Sequence, residues 1–237
     1  MSTDAPAPGT GQPSTAGLVI AIDGPSGSGK SSTSRGVAAR LGLRYLDTGA
    51  MFRAVTWWML DHGVDVHDPE AVAARAGEPL VESGTDPLTP TISVDGVDVS
   101  VEIRSDAVNA AVSPVSAVPA VRARLLELQR AVAAEGDIVV EGRDIGSVVL
   151  PDAPVKVYLT ADPAARAARR ALEEGGSDLA ATEASLLQRD VIDSTRATAP
   201  LVQADGAAHL DTTAYTLDEV IDQVVALAEA VAAGDAS

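Results

Sequence analysis

The 237-residue chain contains no cysteine. That excludes disulfides, thiolate catalysis and cysteine-ligated zinc, and it is compatible with a reducing compartment. Aromatic residues are scarce, at two Trp, three Tyr and one Phe, which argues against a platform for stacking nucleic-acid bases. Positive charge is also short. Lys and Arg number 17 against 34 Asp and Glu, for a formal charge of −17. Such a surface repels polyanions, so polymeric nucleic acid and anionic membranes are poor partners. A small nucleotide needs only a local cationic pocket and stays possible. No apolar run approaches the roughly 20 residues of a bilayer span. Residues 1–16 are rich in Pro, Gly, Ser and Thr and lack a cationic patch ahead of an apolar core. They read as a disordered tail, not a signal peptide. A soluble, cytoplasmic protein is expected.

What is present suits one α/β domain with an insertion: 46% of residues are hydrophobic, enough to bury a sizeable core. Five short apolar stretches read as buried strands, at residues 18–23, 43–47, 137–144, 155–160 and 207–213. Between them lie helical patterns. One covers 48–63, with Thr48 as N-cap and Gly63 as stop. A long helix ends near residue 135. Asp162-Pro163 opens another, and a last one begins at a capping box of Thr216 and Glu219. Residues 64–104 differ in character. They are rich in Asp, Pro and Gly, and TISVDGVDVS alternates apolar residues about Asp95-Gly96, a hairpin signal. Strands alternating with helices predict a three-layer α/β/α fold around a five-stranded parallel sheet, with a small antiparallel sheet in the insertion.

The first strand runs into Gly24-Pro25-Ser26-Gly27-Ser28-Gly29-Lys30-Ser31-Ser32. Glycines at that spacing, after a strand and before a helix, let backbone N–H groups turn onto a phosphate at the positive end of the helix. Lys30 would bridge the outer phosphates and Ser31 would hold a Mg²⁺ ion. The chain has only two lysines, Lys30 and Lys156. That one of them stands here fits the need for a compact point charge. A Gly-rich turn that merely connects strand and helix is the plainer alternative.

The fate of the phosphate follows from what accompanies the loop. The chain has no Asn-Lys-x-Asp for reading guanine and no LSGGQ of a transporter ATPase. Instead arginines recur after strands and on helices: Arg53 in DTGAMFR with Thr48, Arg122, Arg143 with Asp144 in EGRDIG, and Arg189, Asp193 and Arg196 in RDVIDSTR. In an open parallel sheet, ligands bind beyond the carboxyl ends of the strands, so the groups that follow strands should converge on the loop. Guanidinium groups there suit a triphosphate donor and an anionic acceptor. No strong general base is apparent. A phosphate acceptor needs none, because its second pKa lies near 6. Arg169 and Arg170, four residues before Glu173 and Glu174, read as partners in surface ion pairs. The three histidines carry no assigned chemistry, and Trp57-Trp58 reads as packing.

Taken together, IDGPSGSGKSS, DTGAMFR, EIRSDAVNAAVS, VRARLL, VEGRDIGSVVLPDAPVKVYL and RDVIDSTRATAPL resemble, in order and spacing, the bacterial cytidylate kinases, P-loop nucleoside monophosphate kinases. The likeness spans about residues 18–230. It implies a kinase that transfers the γ-phosphoryl of MgATP to CMP or dCMP. It also implies roles: Thr48, Arg53 and Arg143 for the acceptor phosphate; Ser113, Arg122 and Asp144 for the cytosine edge; Arg189 and Asp193 for the ribose. Arg196 and Arg189 would neutralise the transferring group, with Lys30 and Arg143 also catalytic. The cofactors implied are ATP and Mg²⁺, and the implied state is a monomer. The implied layout is a tail at 1–16 and one kinase domain at 17–237, with its core at 17–63, 105–162 and 199–237. A monophosphate-binding insert at about 64–104 and a lid at about 163–198 complete it. Some relatives have an arginine where Ile192 stands, so this lid is less cationic. The rivals are a P-loop kinase for shikimate, dephospho-coenzyme A or AMP, and a non-catalytic nucleotide-binding module. The insert and Asp144 argue against the first, and Lys30 with the lid arginines argues against the second.

Overall fold

The computed structural model describes residues 17–173, 178–196 and 198–234; the tail expected at 1–16 lies outside them. In chain order the elements are β1 (Val19–Asp23), α1 (Lys30–Leu41), β2 (Arg44–Asp47), α2 (Thr48–Asp61), α3 (Pro69–Arg75), β3 (Val81–Ser83), β4 (Ile92–Val94) and β5 (Val97–Asp98). There follow α4 (Asp106–Ala117), α5 (Pro119–Ala133), β6 (Ile138–Gly142), β7 (Val155–Thr160), α6 (Pro163–Glu173), α7 (Leu179–Thr195), β8 (Ala208–Asp211) and α8 (Leu217–Ala232). A five-stranded sheet runs β2-β6-β1-β7-β8 with every pairing parallel. This is the α/β fold expected from the alternating elements, and β3-β4-β5 form the small antiparallel sheet.

Strand periodicity divides the core in two. Ile20 and Ile22 of β1 and Val139 of β6 join Val37 of α1 and Val224 of α8 on one face. Ala21, Ile138 and Val140 point the other way, into a cluster with Met51, Trp58, Val115 and Leu125 from α2, α4 and α5. Because both faces are covered, the central strands read as unbroken apolar runs.

Two local expectations are corrected. The single long helix is α4 followed by α5. Val118, which precedes Pro119, is extended (φ −71, ψ 121), because the proline ring disfavours helical geometry in its predecessor. Pro119 then starts α5, where a missing N–H costs nothing. The cap of α2 is Asp47, whose carboxylate accepts from the Ala50 N–H. Thr48 lies inside the helix and donates to the Glu141 carbonyl at 2.7 Å. Gly63, at φ 64, stops the helix just past the His62 cap: its N–H donates to the Leu60 carbonyl and the Val64 N–H to the Met59 carbonyl. The capping box of Thr216 and Glu219 on α8 is present.

The hairpin turns on Asp95 and Gly96, with φ of 52 and 79, the left-handed pair that a tight hairpin needs. The Asp95 carboxylate also accepts from the Trp58 indole N–H at 2.7 Å and the Leu80 N–H at 3.0 Å. One side chain therefore joins the small sheet to α2. Asp95→Ala should lower unfolding stability by about 1–3 kcal/mol, since the buried indole loses its acceptor. Urea denaturation checks this, and an unchanged midpoint would sink it.

Candidate active site

The loop after β1 is shaped by what touches it. A side chain on Gly24 would place a Cβ 2.1 Å from the Leu159 carbonyl oxygen of β7, so strand and loop approach as only glycine allows. Gly29, at φ 86, turns the chain into α1. Lys30 is buried, and its ammonium donates to the Pro25 carbonyl at 2.7 Å. Burial, helped by the nearby Arg143 charge, pulls its pKa down. A phosphate in the loop would relieve that penalty by pairing the ammonium. Arg166 of α6 ties the loop to the helices after β7: it donates to the Ser26 carbonyl at 3.0 Å and pairs with Asp190 at 2.7 Å.

Beside the loop is a cavity of about 180 Å³. Ser26, Gly27, Gly29, Lys30, Ser31 and Ser32 form one wall, and Thr48, Arg53, Ser113, Arg122, Arg143, Asp144, Arg189, Asp193 and Arg196 are among the residues that line the others. Residues spread over 170 positions of chain thus meet at one place. Among the expected loop residues, Gly24, Pro25 and Ser28 do not line this cavity. Gly24 packs under the loop, Pro25 receives Lys30, and Ser28 is buried on the side of a second cavity.

The arginines are held in place by carboxylates and carbonyls. Arg122 enters from the first turn of α5 and forms an ion pair with Asp144; both are buried. It also donates to the Ser116 carbonyl at 3.2 Å and lies over the Phe52 ring. The break at Pro119 brings α4 and α5 to this angle. Arg143 donates to Asp193 of α7 at 2.8 Å, and that carboxylate more than offsets the cost of burial, so the Arg143 pKa rises. Arg196 approaches Asp144 at 3.7 Å and Asp193 at 3.5 Å. Arg53 donates to the Ile103 carbonyl and to Asn109. Burial, then the like charges of Arg189 and Arg170, lower its pKa to about 9. Guanidinium groups crowded this closely suit an anion between them.

Three features were not found by sequence reasoning. Glu141, at the end of β6, is buried and accepts from Ser31 Oγ at 3.0 Å and from the Tyr45 hydroxyl. Burial and then the Asp47 charge raise its pKa, while Lys30 pulls it down. A carboxylate inside an apolar strand, two residues before Arg143, was the available signal. Arg170 lines the cavity instead of simply facing solvent. Arg169 donates twice to Thr212, at 2.8 and 2.7 Å. Glu174 and the Glu173 side chain, their expected partners, lie outside the described residues. Third, a cavity of about 220 Å³ opens on the far side of the loop, between Gly27, Gly29, Ser32 and the Arg169, Tyr215 and Leu217 side chains.

Ser31 suits a magnesium ion. Its hydroxyl proton is directed at Glu141, which leaves oxygen lone pairs for a hard cation, and phosphate oxygens and water would complete the shell. Among the described residues no cluster of three or more His, Cys, Asp or Glu could hold a metal alone. No helix among them is long and apolar enough to cross a membrane. Tyr45→Phe strips one donor from Glu141 at constant volume. It should cost about 1.5–3 kcal/mol of stability, and a urea midpoint equal to that of the parent would contradict the pairing.

The sequence model for cytidylate kinase matches residues 20–230. The chain is 59% identical over 214 residues to a protein named cytidylate kinase from Streptomyces avermitilis, covering 90% of this chain and 93% of that one. It is 58% identical over 224 residues to one of the same name from Streptomyces coelicolor, covering 94% and 97%. A third, from Nocardia farcinica, is 56% identical over 212 residues and 87% and 91% of the two chains.

Proposed function

This chain belongs to the cytidylate kinase family, and on that premise we propose that it transfers the γ-phosphoryl group of ATP to CMP or dCMP, giving ADP and CDP or dCDP. It is an ATP-dependent nucleoside monophosphate kinase. One observation carries the reading of the site: the phosphate loop, a buried Arg-Asp pair and a set of arginines share a single cavity.

The donor's triphosphate lies along Gly24 to Ser32. Lys30 exchanges its bond to the Pro25 carbonyl for the outer phosphates. The base extends into the cavity beside Arg169 and Tyr215, which shares Gly27, Gly29 and Ser32 with the acceptor side. Mg²⁺ held by Ser31 would offset charge on the phosphates. Glu141 keeps the Ser31 hydroxyl turned for that role.

The acceptor phosphate sits among Thr48, Arg53 and Arg143. Its oxygen is largely anionic at neutral pH, so the site needs positioning and charge rather than a base. Ser113, Arg122 and Asp144 meet the cytosine edge: the carboxylate accepts from the exocyclic amine, and the guanidinium donates to the ring nitrogen or carbonyl. Arg189 and Asp193 hold the ribose. Arg189 and Arg196 neutralise the moving phosphoryl group from residues 163–198, which act as a lid, while residues 64–104 act as the acceptor-side insert. Family membership suggests a monomer acting on diffusible nucleotides in the cytoplasm, and the −17 charge is compatible with a solvated, unassociated surface.

Lys30→Ala should cut turnover by at least about a hundredfold, the scale of one lost transition-state contact, with the circular dichroism spectrum unchanged. Turnover equal to the parent's would remove the loop from the mechanism. Acceptor choice is checked by ADP release with CMP, dCMP, UMP, AMP, GMP, shikimate and dephospho-coenzyme A. UMP offers a carbonyl where CMP offers an amine, so it leaves Asp144 facing an acceptor. A buried group left unpaired costs about 1–3 kcal/mol, or about 5- to 150-fold in rate. CMP and dCMP should lead by that factor, and Asp144→Ala should narrow the gap to UMP. A faster rate with AMP or shikimate would refute the cytidylate assignment.

A further inference from the structure

Asp23 is a buried carboxylate that the proposed chemistry leaves without a task. It is the last residue of β1, immediately before Gly24 of the phosphate loop, and is 3% exposed. One oxygen accepts from the Ile145 N–H at 2.7 Å and the other from the Gly146 N–H at 2.7 Å. Among the described residues no side-chain cation bonds to it. Burial pushes its pKa up to about 6, although those two N–H groups pull the other way. An acid kept at such a cost deserves a function beyond filling space.

The topology indicates what that function is. β1 and β6 are neighbours in the sheet, and Asp23 lies opposite Gly142 in their register. Past Gly142 the chain carries Arg143 and Asp144 and then enters a π-type turn, Ile145–Val149. Nothing in the sheet ladder controls the chain after Gly142. The two bonds from Asp23 clamp the N–H groups directly after Asp144. They therefore set where Asp144 stands to meet Arg122, and where Arg143 stands to meet Asp193. Gly146 is confined as well, since a Cβ there would lie 3.2 Å from Ala204 and 3.3 Å from the Lys156 side chain.

We propose that Asp23 is a positioning residue for the acceptor: through Ile145 and Gly146 it sets the Arg143-Asp144 turn in register with the phosphate loop, and so tunes recognition of the pyrimidine base. This rests on the acceptor reading given above.

The test compares Asp23→Asn with the parent enzyme. The amide keeps one acceptor but turns an N–H toward a backbone N–H. The KM for CMP should rise about tenfold or more, as for the loss of a bond to a charged group. The preference for CMP over UMP in kcat/KM should fall by about fivefold, while the KM for ATP moves less than twofold. Should Asp23→Asn fail to fold, Gly146→Ala takes its place. Its Cβ would crowd Ala204 and the Lys156 side chain, so it shifts the Gly146 N–H of the clamp from the turn side without changing charge, and should show the same split at about threefold. A merely structural role would lower Tm and leave both the CMP to UMP ratio and the KM for CMP unchanged. That result, or an equal loss of both substrates, overturns the inference. A parent enzyme that does not prefer CMP would instead overturn the acceptor reading on which it stands.

Discussion

Positive charge held at close quarters is the constraint around which this site is organised. Seven arginines and Lys30 line one cavity in a chain whose net charge is −17. Like charges at this spacing, partly out of water, repel one another strongly. The low pKa of Arg53 registers that repulsion together with burial. Carboxylates spaced among the cations make the arrangement possible: Asp144 against Arg122, Asp193 against Arg143 and Glu141 near Lys30. The acidic surface elsewhere repels polyanions, while the cavity concentrates positive charge in a space suited to a small one.

The parallel sheet delivers these groups to one end. β1 and β6 lie side by side, and their carboxyl ends release the phosphate loop and the Arg143-Asp144 turn next to each other. β2, on the other side of β6, ends in Asp47 and hands over to Thr48 and Arg53 on α2. Three adjacent strand ends thus supply the loop and two of the clusters that surround it. The others come from farther away. Arg122 depends on the bend before Pro119, and Asp193 and Arg196 reach in from α7. Arg166 makes that reach firm by bonding both the loop and Asp190.

Local chemistry was legible where a residue's own backbone preference decides the outcome. The glycines of the phosphate loop, the Asp95-Gly96 turn, Pro163 at a helix start and the Thr216-Glu219 box all act within a few residues. The sequence points to one long helix ending near residue 135 because the apolar pattern runs on past Val118. Only the ring of Pro119 interrupts it, and the same proline also serves as a good first residue. Thr48 reads as the cap in the sequence because threonine is suited to it. Asp47 holds that place, and the Thr48 hydroxyl is used by a carbonyl 93 residues away. Arg170 could be assigned to the cavity only once α6 had been placed in space.

The sequence by itself determined the fold class and the glycine-rich loop after β1, because spacing and residue type settle these over short distances, while the kind of chemistry followed from the family likeness of several motifs taken together. Tertiary structure alone decided which charges face each other. Whether Glu141 holds Ser31, or Asp23 clamps the turn after Asp144, depends on the register of β1 with β6 and on burial. Both are set by the packing of both faces of the sheet, and no local pattern encodes them.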